Sequence, residues 1–306
     1  MESLLSLLGT IDAAVVIPHL LPDLDALASA EGLCRILRAR GVEAWALVPE
    51  LPAIYSWAID PGIRITAAES DLPRIAVDTA RPDRLQVPGP VQACIDHHED
   101  NPLFGQVNWV QVAPSCTCLL GQLAQALGVE LGPELATVLY RGLVGDTEGF
   151  AVNVGPEAFG WAARFCAAGA DTEGTAEGFR RRSPGFWDYL AAVERSSEVL
   201  PGPVPLRIVP VPKGLPDRMG LLPYENALLP HHLIPPRDGI LAILQEGAFG
   251  VRFRLRSHQV DLLPLAHRLG GGGHPHAAGV LRRGQGLPEA IAALRQAWAE
   301  EQPSGM

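Results

Sequence analysis

The 306 residues carry 24 basic and 34 acidic side chains, a formal charge of −10, and Lys213 is the single lysine. A chain of this length suits two domains, and 47% hydrophobic against 19% charged residues exclude a disordered or fibrous protein. The acidic balance disfavours a surface that neutralises long duplex DNA, although arginine still suits a local pocket for a short phosphorylated ligand.

Ala13 to Ile17 is a β-branched apolar run, expected as a strand buried on both faces. A loop carrying His19, Asp23 and Asp25 follows, then helical spacing from Ala26 to Arg40 with Gly41 as its stop. Ala44 to Val48, Arg74 to Val77 and Val91 to Ile95 read as further strands; the last two run into Asp78 and into Asp96-His97-His98. Helices are expected near Cys116 to Leu127 and from about Pro133 to Val144, the second leading into Gly145-Asp146-Thr147. Strands alternating with helices predict an α/β fold, a mostly parallel sheet with helices on both faces, whose ligands sit beyond the strands' carboxyl ends. Phe186 to Leu200 reads as a helix that breaks at Pro201-Gly202-Pro203 and connects to a second domain. That domain starts with a strand from Leu206 to Val211 and includes Gly239 to Gln245 and the alternating run Val251 to Arg256. It ends with a Gly-rich turn and a helix from about Leu287 to Glu301.

Carboxylate oxygen attracts hard divalent cations, and imidazole nitrogen moves the preference from Ca²⁺ toward Mn²⁺, Fe²⁺ or Co²⁺. Two clusters of this kind suggest a dinuclear site, and such sites commonly hydrolyse phosphates. Each residue also has a plain structural reading. Pro22-Asp23 suits a turn, Asp78 a helix cap, and Asp146-Thr147 ordinary turn chemistry. In Gly270-Gly271-Gly272-Gly273-His274, the glycines permit positive φ and an anion nest, or simply a flexible turn. Arg180-Arg181-Arg182 reads as a solvated charge run, and His231-His232 as part of a surface loop. The cysteines Cys34, Cys94, Cys116, Cys118 and Cys166 form no framework, so buried reduced thiols are expected rather than a zinc site. With no signal-type N-terminus and no apolar run of membrane length, a soluble cytoplasmic protein without a membrane partner is expected.

In chain order these motifs are His19-x-x-Pro22-Asp23-x-Asp25, Asp78, Asp96-His97-His98, Asp146-Thr147 and Gly-Gly-Gly-His274-x-x-Ala-Ala-Gly279. Together they resemble the DHH/DHHA1 phosphoesterase family, over the span from Val15 to Gly279. The resemblance implies a DHH metal-binding catalytic domain over 1–185, a connecting helix and linker over 186–203, and a smaller α/β DHHA1 substrate-binding domain over 204–306. It implies an active site in the cleft between the domains, holding two divalent cations, with Mn²⁺ expected. One cation would take His19 and Asp23 and the other Asp25 and His97. Asp78 would bridge them and Asp146 would complete the coordination. His98 would contact the phosphate or the attacking water, with Asp96 orienting an imidazole; both belong to the implied catalytic set. Arg256, Ser257, Gly272, Gly273 and His274 would hold substrate, and Glu148 stands where relatives commonly have glycine.

A stand-alone chain of this size resembles the nano-RNases. It is therefore expected to hydrolyse short RNA or dinucleotides to mononucleotides, and also 3′-phosphoadenosine 5′-phosphate. It would bind no duplex DNA stably and could form a homodimer. Rival readings are a c-di-AMP or pApA phosphodiesterase, a RecJ-like single-strand exonuclease, and a catalytically dead nucleotide-binding protein.

Overall fold

The computed structural model describes residues 1–67, 72–85, 87, 89–222 and 225–301. By their internal packing they divide into two units, Met1–Arg181 and Arg182–Met306.

The first unit runs α1 (Glu2–Leu8), β1 (Ala13–Ile17), α2 (Leu24–Ala39), β2 (Glu43–Leu47), β3 (Arg64–Ile65), β4 (Arg74–Val77), β5 (Ala93–Asp96) and β6 (Val107–Val110). It continues through α3 (Cys116–Ala126), α4 (Pro133–Asp146), α5 (Pro156–Ala167) and α6 (Thr172–Arg180). Its sheet is parallel throughout, in the order β3-β2-β1-β4-β5-β6. After β1 the chain builds outward through β2 and β3, then returns to place β4 on the other flank of β1. That reversal of direction makes a crevice beyond the carboxyl ends of β1 and β4.

The unbroken apolar character of β1 follows from its burial on both faces (Val15 and Ile17 on one, Ala14 and Val16 on the other). The two faces are covered differently. Helices α1 to α5 contribute to the cluster on the Val16 side, including Leu4, Leu27, Leu120, Leu139 and Phe165. The Val15 face instead packs Leu72, Leu85, Val87, Val91 and Phe104, all from connecting segments. The expectation of helices on both faces is therefore corrected: among the described residues, loops cover the second face.

The second unit holds α7 (Phe186–Ser196), β7 (Glu198–Leu200), β8 (Leu206–Val211), α8 (Leu215–Arg218), β9 (Ile240–Gly247), β10 (Gly250–Arg256), α9 (Leu263–Arg268), β11 (Gly272–His274), β12 (Ala277–Arg283) and α10 (Leu287–Glu301). Its mixed sheet has the order β11-β12-β10-β9-β8-β7, with β8 and β9 parallel and the other pairs antiparallel. Helices α9 and α10 bury Leu265 and Leu294 on the face of Phe253 and Leu255. Helix α7, read from the sequence as a connection, seats Tyr189 and Val193 on the opposite face, against Val209, Val211, Leu241 and Ile243. The run expected as a Gly-rich turn forms strand β11 at the sheet edge, with Gly272, Gly273 and His274 opposite Gly279, Ala278 and Ala277. At the Gly272 and Gly273 positions, glycine faces only Gly279 and Ala278, so no bulky side chain stands between the two strands there.

In the first unit, α2 is tied to its surroundings by a buried carboxylate. Glu31, 1% exposed, accepts from Arg35 Nε at 2.8 Å and from the Asp60 amide at 2.9 Å. The same guanidinium reaches Asp60 at 3.2 Å and Glu134 at 2.8 Å. Replacing Glu31 by Ala leaves the Asp60 amide and part of Arg35 unpaired, so Glu31→Ala is expected to cost about 3 kcal/mol in chemical denaturation. A loss below about 1 kcal/mol would mean that water replaces the carboxylate.

Candidate metal centre

The acids and imidazoles singled out in the first unit converge at the crevice between β1 and β4. His19 follows β1, Asp78 follows β4, and His97 and His98 follow β5. Asp23 and Asp25 had been expected on one loop with His19. Instead Asp23 caps α2, accepting from the Ala26 amide at 3.1 Å, and Asp25 lies in that helix's first turn. Asp146 is the last residue of α4 rather than part of the turn beyond it. Helix geometry thus fixes the direction of both side chains.

Three sets of potential ligands each bring their atoms within 4.8 Å of one another: His19 with Asp23 and Asp78, Asp25 with His97 and Asp146, and Asp78 with His97 and His98. Asp78 belongs to two of them and His97 likewise. His97 Nε2 lies 3.3 Å from Asp78 Oδ1 and 3.2 Å from Asp146 Oδ2, and His19 Nε2 is 3.9 Å from Asp78 Oδ2. Asp78 is 2% exposed, and its Oδ1 is buried without a hydrogen-bond partner. A buried carboxylate oxygen left open toward two imidazoles is what a cation would satisfy, so the donor set fits a hard divalent metal.

Neighbouring groups set the tautomers. His97 Nδ1 donates to the Ala113 carbonyl at 3.0 Å and His19 Nδ1 to the Leu20 carbonyl at 2.9 Å, which directs each Nε2 toward the carboxylates. His98 Nδ1 donates to Asp96 Oδ1 at 2.7 Å. The fully buried Asp96 also accepts from the His97 amide at 2.9 Å and from Asn101 Nδ2 at 2.6 Å. Both of its oxygens are engaged, so Asp96 positions His98 rather than meeting a ligand. The side chain of His98 is 42% exposed.

Asp25 shows how the fold accommodates clustered charge. Its Oδ2 accepts from the Cys116 amide at 2.7 Å and its Oδ1 from the Thr117 amide at 3.2 Å, at the N-terminus of α3. Gly142 on α4 leaves the space: a Cβ there would lie 2.3 Å from Asp25 Oδ1 and 2.4 Å from Thr117 Cγ2. The sequence reading missed Gly142, Asn101 and the α3 amides. Gly-x-x-Gly at 142 and 145, inside an apolar helical run, was the available signal for Gly142.

Strained backbone accompanies the site. Asp78 has φ 49° and Glu148, just past α4, also has φ 49°, a region uncommon outside glycine. The left-handed conformation after α4 is thus borne by a half-buried glutamate, where glycine would adopt it without strain.

The remaining expectations lie in the second unit or at its boundary. Ser257 Oγ donates to the Gly239 carbonyl at 2.9 Å and accepts from the Val260 amide at 2.9 Å, so it braces a loop. Arg256 ends β10 and His274 ends β11, in one row across the sheet through Ala277. Gly273 has φ 142°, and a Cβ there would lie 2.6 Å from the Ala277 carbonyl oxygen. Its glycine is thus demanded by the strand pairing. Arg181 is exposed beside Glu177, whereas Arg182 lies over the Phe186 ring and His232 packs on Phe186 and Trp187. All cysteines are unpaired; Cys166 is exposed, contrary to the expectation that every thiol is buried.

Burial alone would favour neutral imidazoles here, but neighbouring carboxylates override it. The Asp78 carboxylate 3.3 Å away, with the charges of Asp146 and Asp25, raises His97 to about 11. Asp23 and Asp78 raise His19 to about 9. Burial and the charge of Asp78 push Asp25 up to about 7, and burial with the charges of Asp25 and Asp78 pushes Asp146 well above the ordinary carboxyl range.

No family model matches the chain. It is 29% identical over 307 residues to a bifunctional oligoribonuclease and PAP phosphatase, NrnA, of Thermus thermophilus, covering 92% of this chain and 88% of that one. It is 25% identical over 331 residues to the cyclic-di-AMP phosphodiesterase GdpP of Geobacillus thermodenitrificans, covering 97% of this chain but 48% of the relative. Among solved structures, an exopolyphosphatase-related protein from Bacteroides fragilis superposes with a TM-score of 0.82 at 19% identity, covering 98% and 95% of the two chains. An exonuclease RecJ bound to manganese superposes with a TM-score of 0.51 at 16% identity, covering 97% and 94%. These structural likenesses concern the fold.

Two outcomes follow from the geometry. Alanine is the better helix former by about 1 kcal/mol, yet Gly142→Ala is expected to lower both the melting temperature and Mn²⁺ affinity, because its methyl group meets Asp25 and Thr117. A stabilised Gly142→Ala protein with unchanged calorimetric Mn²⁺ binding would contradict the packing. In the metal-free protein, His19, His97 and Asp25 all have folded pKa values above their ordinary ones, near 6.5 for the imidazoles and 3.8 for the carboxyl. Their stabilisation is complete below those ordinary values and is lost as pH rises through about 7 for Asp25, 9 for His19 and 11 for His97. The metal-free melting temperature is therefore expected to fall between pH 6 and 9, and Mn²⁺ to raise it more at the upper end. A flat profile in differential scanning fluorimetry would contradict this protonation pattern.

Proposed function

We propose that this DHH/DHHA1, nano-RNase-like protein is a divalent-metal phosphodiesterase that hydrolyses short oligonucleotides to mononucleotides and also removes a phosphate from 3′-phosphoadenosine 5′-phosphate. One observation carries the proposal: Asp78 shares two ligand sets at the sheet's switch point, with its Oδ1 unsatisfied. The similarity to NrnA over 92% of the chain supports the substrate class.

In this reading His19, Asp23 and Asp78 would hold one cation, and Asp25, His97, Asp78 and Asp146 the other. Mn²⁺ is the preferred ion. Bound cations supply Lewis acidity toward a phosphoryl oxygen and a water that is nucleophilic near neutral pH. The side chains do the rest. Asp96 and Asn101 lock the ring of His98 through Nδ1, so that Nε2 is presented to the phosphate or to the attacking water. Burial of Asp25 and Asp78 lowers the local dielectric and strengthens every charge interaction at the phosphate. The first unit is the catalytic domain, and the second is the substrate-binding domain, with Arg256, Gly272 and His274 as its contacts. Among the described residues, no helix is long and apolar enough to cross a membrane.

The similarity to GdpP favours a second reading, hydrolysis of a cyclic dinucleotide or its linear product. A panel with Mn²⁺ separates the possibilities: pApA, c-di-AMP, 3′-phosphoadenosine 5′-phosphate and a long single-stranded RNA at matched concentrations. Fastest turnover of pApA, with phosphate release from the bisphosphate, is expected. Preference for c-di-AMP would move the assignment to the second reading, and preference for the long RNA would make the protein an exonuclease. Asp78→Asn is expected to reduce turnover by at least about a hundredfold while circular dichroism stays unchanged. Activity within a factor of about three of the parent would remove Asp78 from the site.

A further inference from the structure

The second unit has a sheet face that its own helices cover only in part. Register places Val251, Phe253 and Leu255 of β10 in the core and Arg252, Arg254 and Arg256 on the opposite face. Helix α7 covers that face over β8 and β9. Beyond β9 the row through Arg254 continues across Gly279 on β12 and Gly272 on β11.

Gly279 and Gly272 are unexplained by the fold. Neither has a positive φ. A Cβ at Gly279 would meet only the Phe253 carbonyl oxygen at 3.8 Å, and one at Gly272 only the His267 ring at 3.9 Å. In contrast, Gly271 and Gly273 are sterically required, since a Cβ on either would lie 2.2 Å and 2.6 Å from a carbonyl oxygen across the ladder. A strand glycine that packing does not demand often marks the approach of a ligand.

Arg254 borders that trough. Its Nη1 is buried with no hydrogen-bond partner, and so is the hydroxyl of Tyr189 on α7. Its neighbours along the strand are two more arginines, so the face gathers like charge with no described acid in the row. Leaving a guanidinium donor unsatisfied among cations costs stability, which is the pattern of a group kept for an anion. Arg254 and Arg256, two residues apart on one face, stand about 6.7 Å apart along the strand. That matches the separation of successive phosphates in an extended nucleotide.

We infer that Arg254 is a specificity-determining contact, reading a second phosphate one ribose away from the phosphate held at Arg256, with the sugar lying over Gly279 and Gly272. The ligand class is a nucleotide phosphorylated on both sides of one ribose, as in pApA or a 3′,5′-bisphosphate. The inference rests on the nucleotide reading above. Arg254 donates hydrogen bonds to the phosphate and takes no part in bond breaking.

The test is calorimetric binding of pApA and ApA to the full chain carrying Asp78→Asn, so that neither ligand is consumed. The parent is expected to bind pApA about tenfold more tightly than ApA, the worth of one charge-assisted contact. Arg254→Gln should bring the two affinities together with ApA binding unchanged, and Arg254→Lys should restore part of the difference. Arg254→Gln should also melt at or above the parent temperature, because it removes an unsatisfied donor; a clear drop would assign Arg254 a structural role and overturn the inference. An unchanged preference in Arg254→Gln, equal weakening of both ligands, or no binding of either by the parent would overturn it too. Turnover of both dinucleotides by the enzyme without Asp78→Asn, at a ratio Arg254→Gln leaves alone, would spare the proposed function and remove this inference. Loss of the binding preference in Arg254→Gln with no turnover by that enzyme would do the reverse.

Discussion

The first unit depends on bringing Asp23, Asp25, Asp78 and Asp146 together at one end of a parallel sheet. Ligand oxygens within 4.8 Å of each other repel by about 3 to 4 kcal/mol per charged pair at an intermediate dielectric. No single stabilising contact outweighs that. The fold distributes the burden: the amides opening α3 face Asp25, two imidazoles face Asp78, and the α2 N-terminus carries Asp23. Protons held on His19 and His97 stand in for positive charge when metal is removed.

Close approach of helices makes this possible. Gly142 and Gly145 on α4 admit Asp25 and Leu24 of α2 at distances no side chain would tolerate. The helix loses some intrinsic stability by carrying glycine, and the gain is a carboxylate pinned between two helices and a third helix's amides. The strained conformations at Asp78 and Glu148 lie at the same end of the sheet. Local propensity yields to placement of ligands there, as it does at many functional sites.

The second unit follows a different logic. Its sheet buries one face under α9 and α10, and on the other face α7, Leu215, Leu229 and Leu233 pack over β8 and β9. Beyond β9 that face carries Arg254, and Gly272 and Gly279 where packing does not ask for glycine. An alternating strand exposes every second side chain to the same surface, so the run Val251 to Arg256 separates a core-building set from a row of arginines within one strand.

Much of this was legible in the sequence. β-branched runs ending in acids or histidines marked β1, β4 and β5, because doubly buried strands need uninterrupted apolar side chains and because ligands collect at their carboxyl ends. The ordered motifs identified His19, Asp23, Asp25, Asp78, His97 and Asp146 as one group. The helix boundaries around Asp25 and Asp146 were less legible, since a capping aspartate reads equally well as a turn. The two-residue β3 was too short to show periodicity, and β6, with Asn108 inside it, lacks the unbroken apolar run that marked β1. What only the tertiary structure decided were relations between distant segments: the amides of Cys116 and Thr117 on Asp25, Gly142 making room for it, Asn101 closing on Asp96, loops rather than helices over the Val15 face, and Ser257 turned to bracing a loop. Hydrophobic period and residue chemistry act within a few positions of the chain and can be read along it; steric clearance and hydrogen-bond satisfaction depend on which remote backbone arrives alongside, and that is set by the packing.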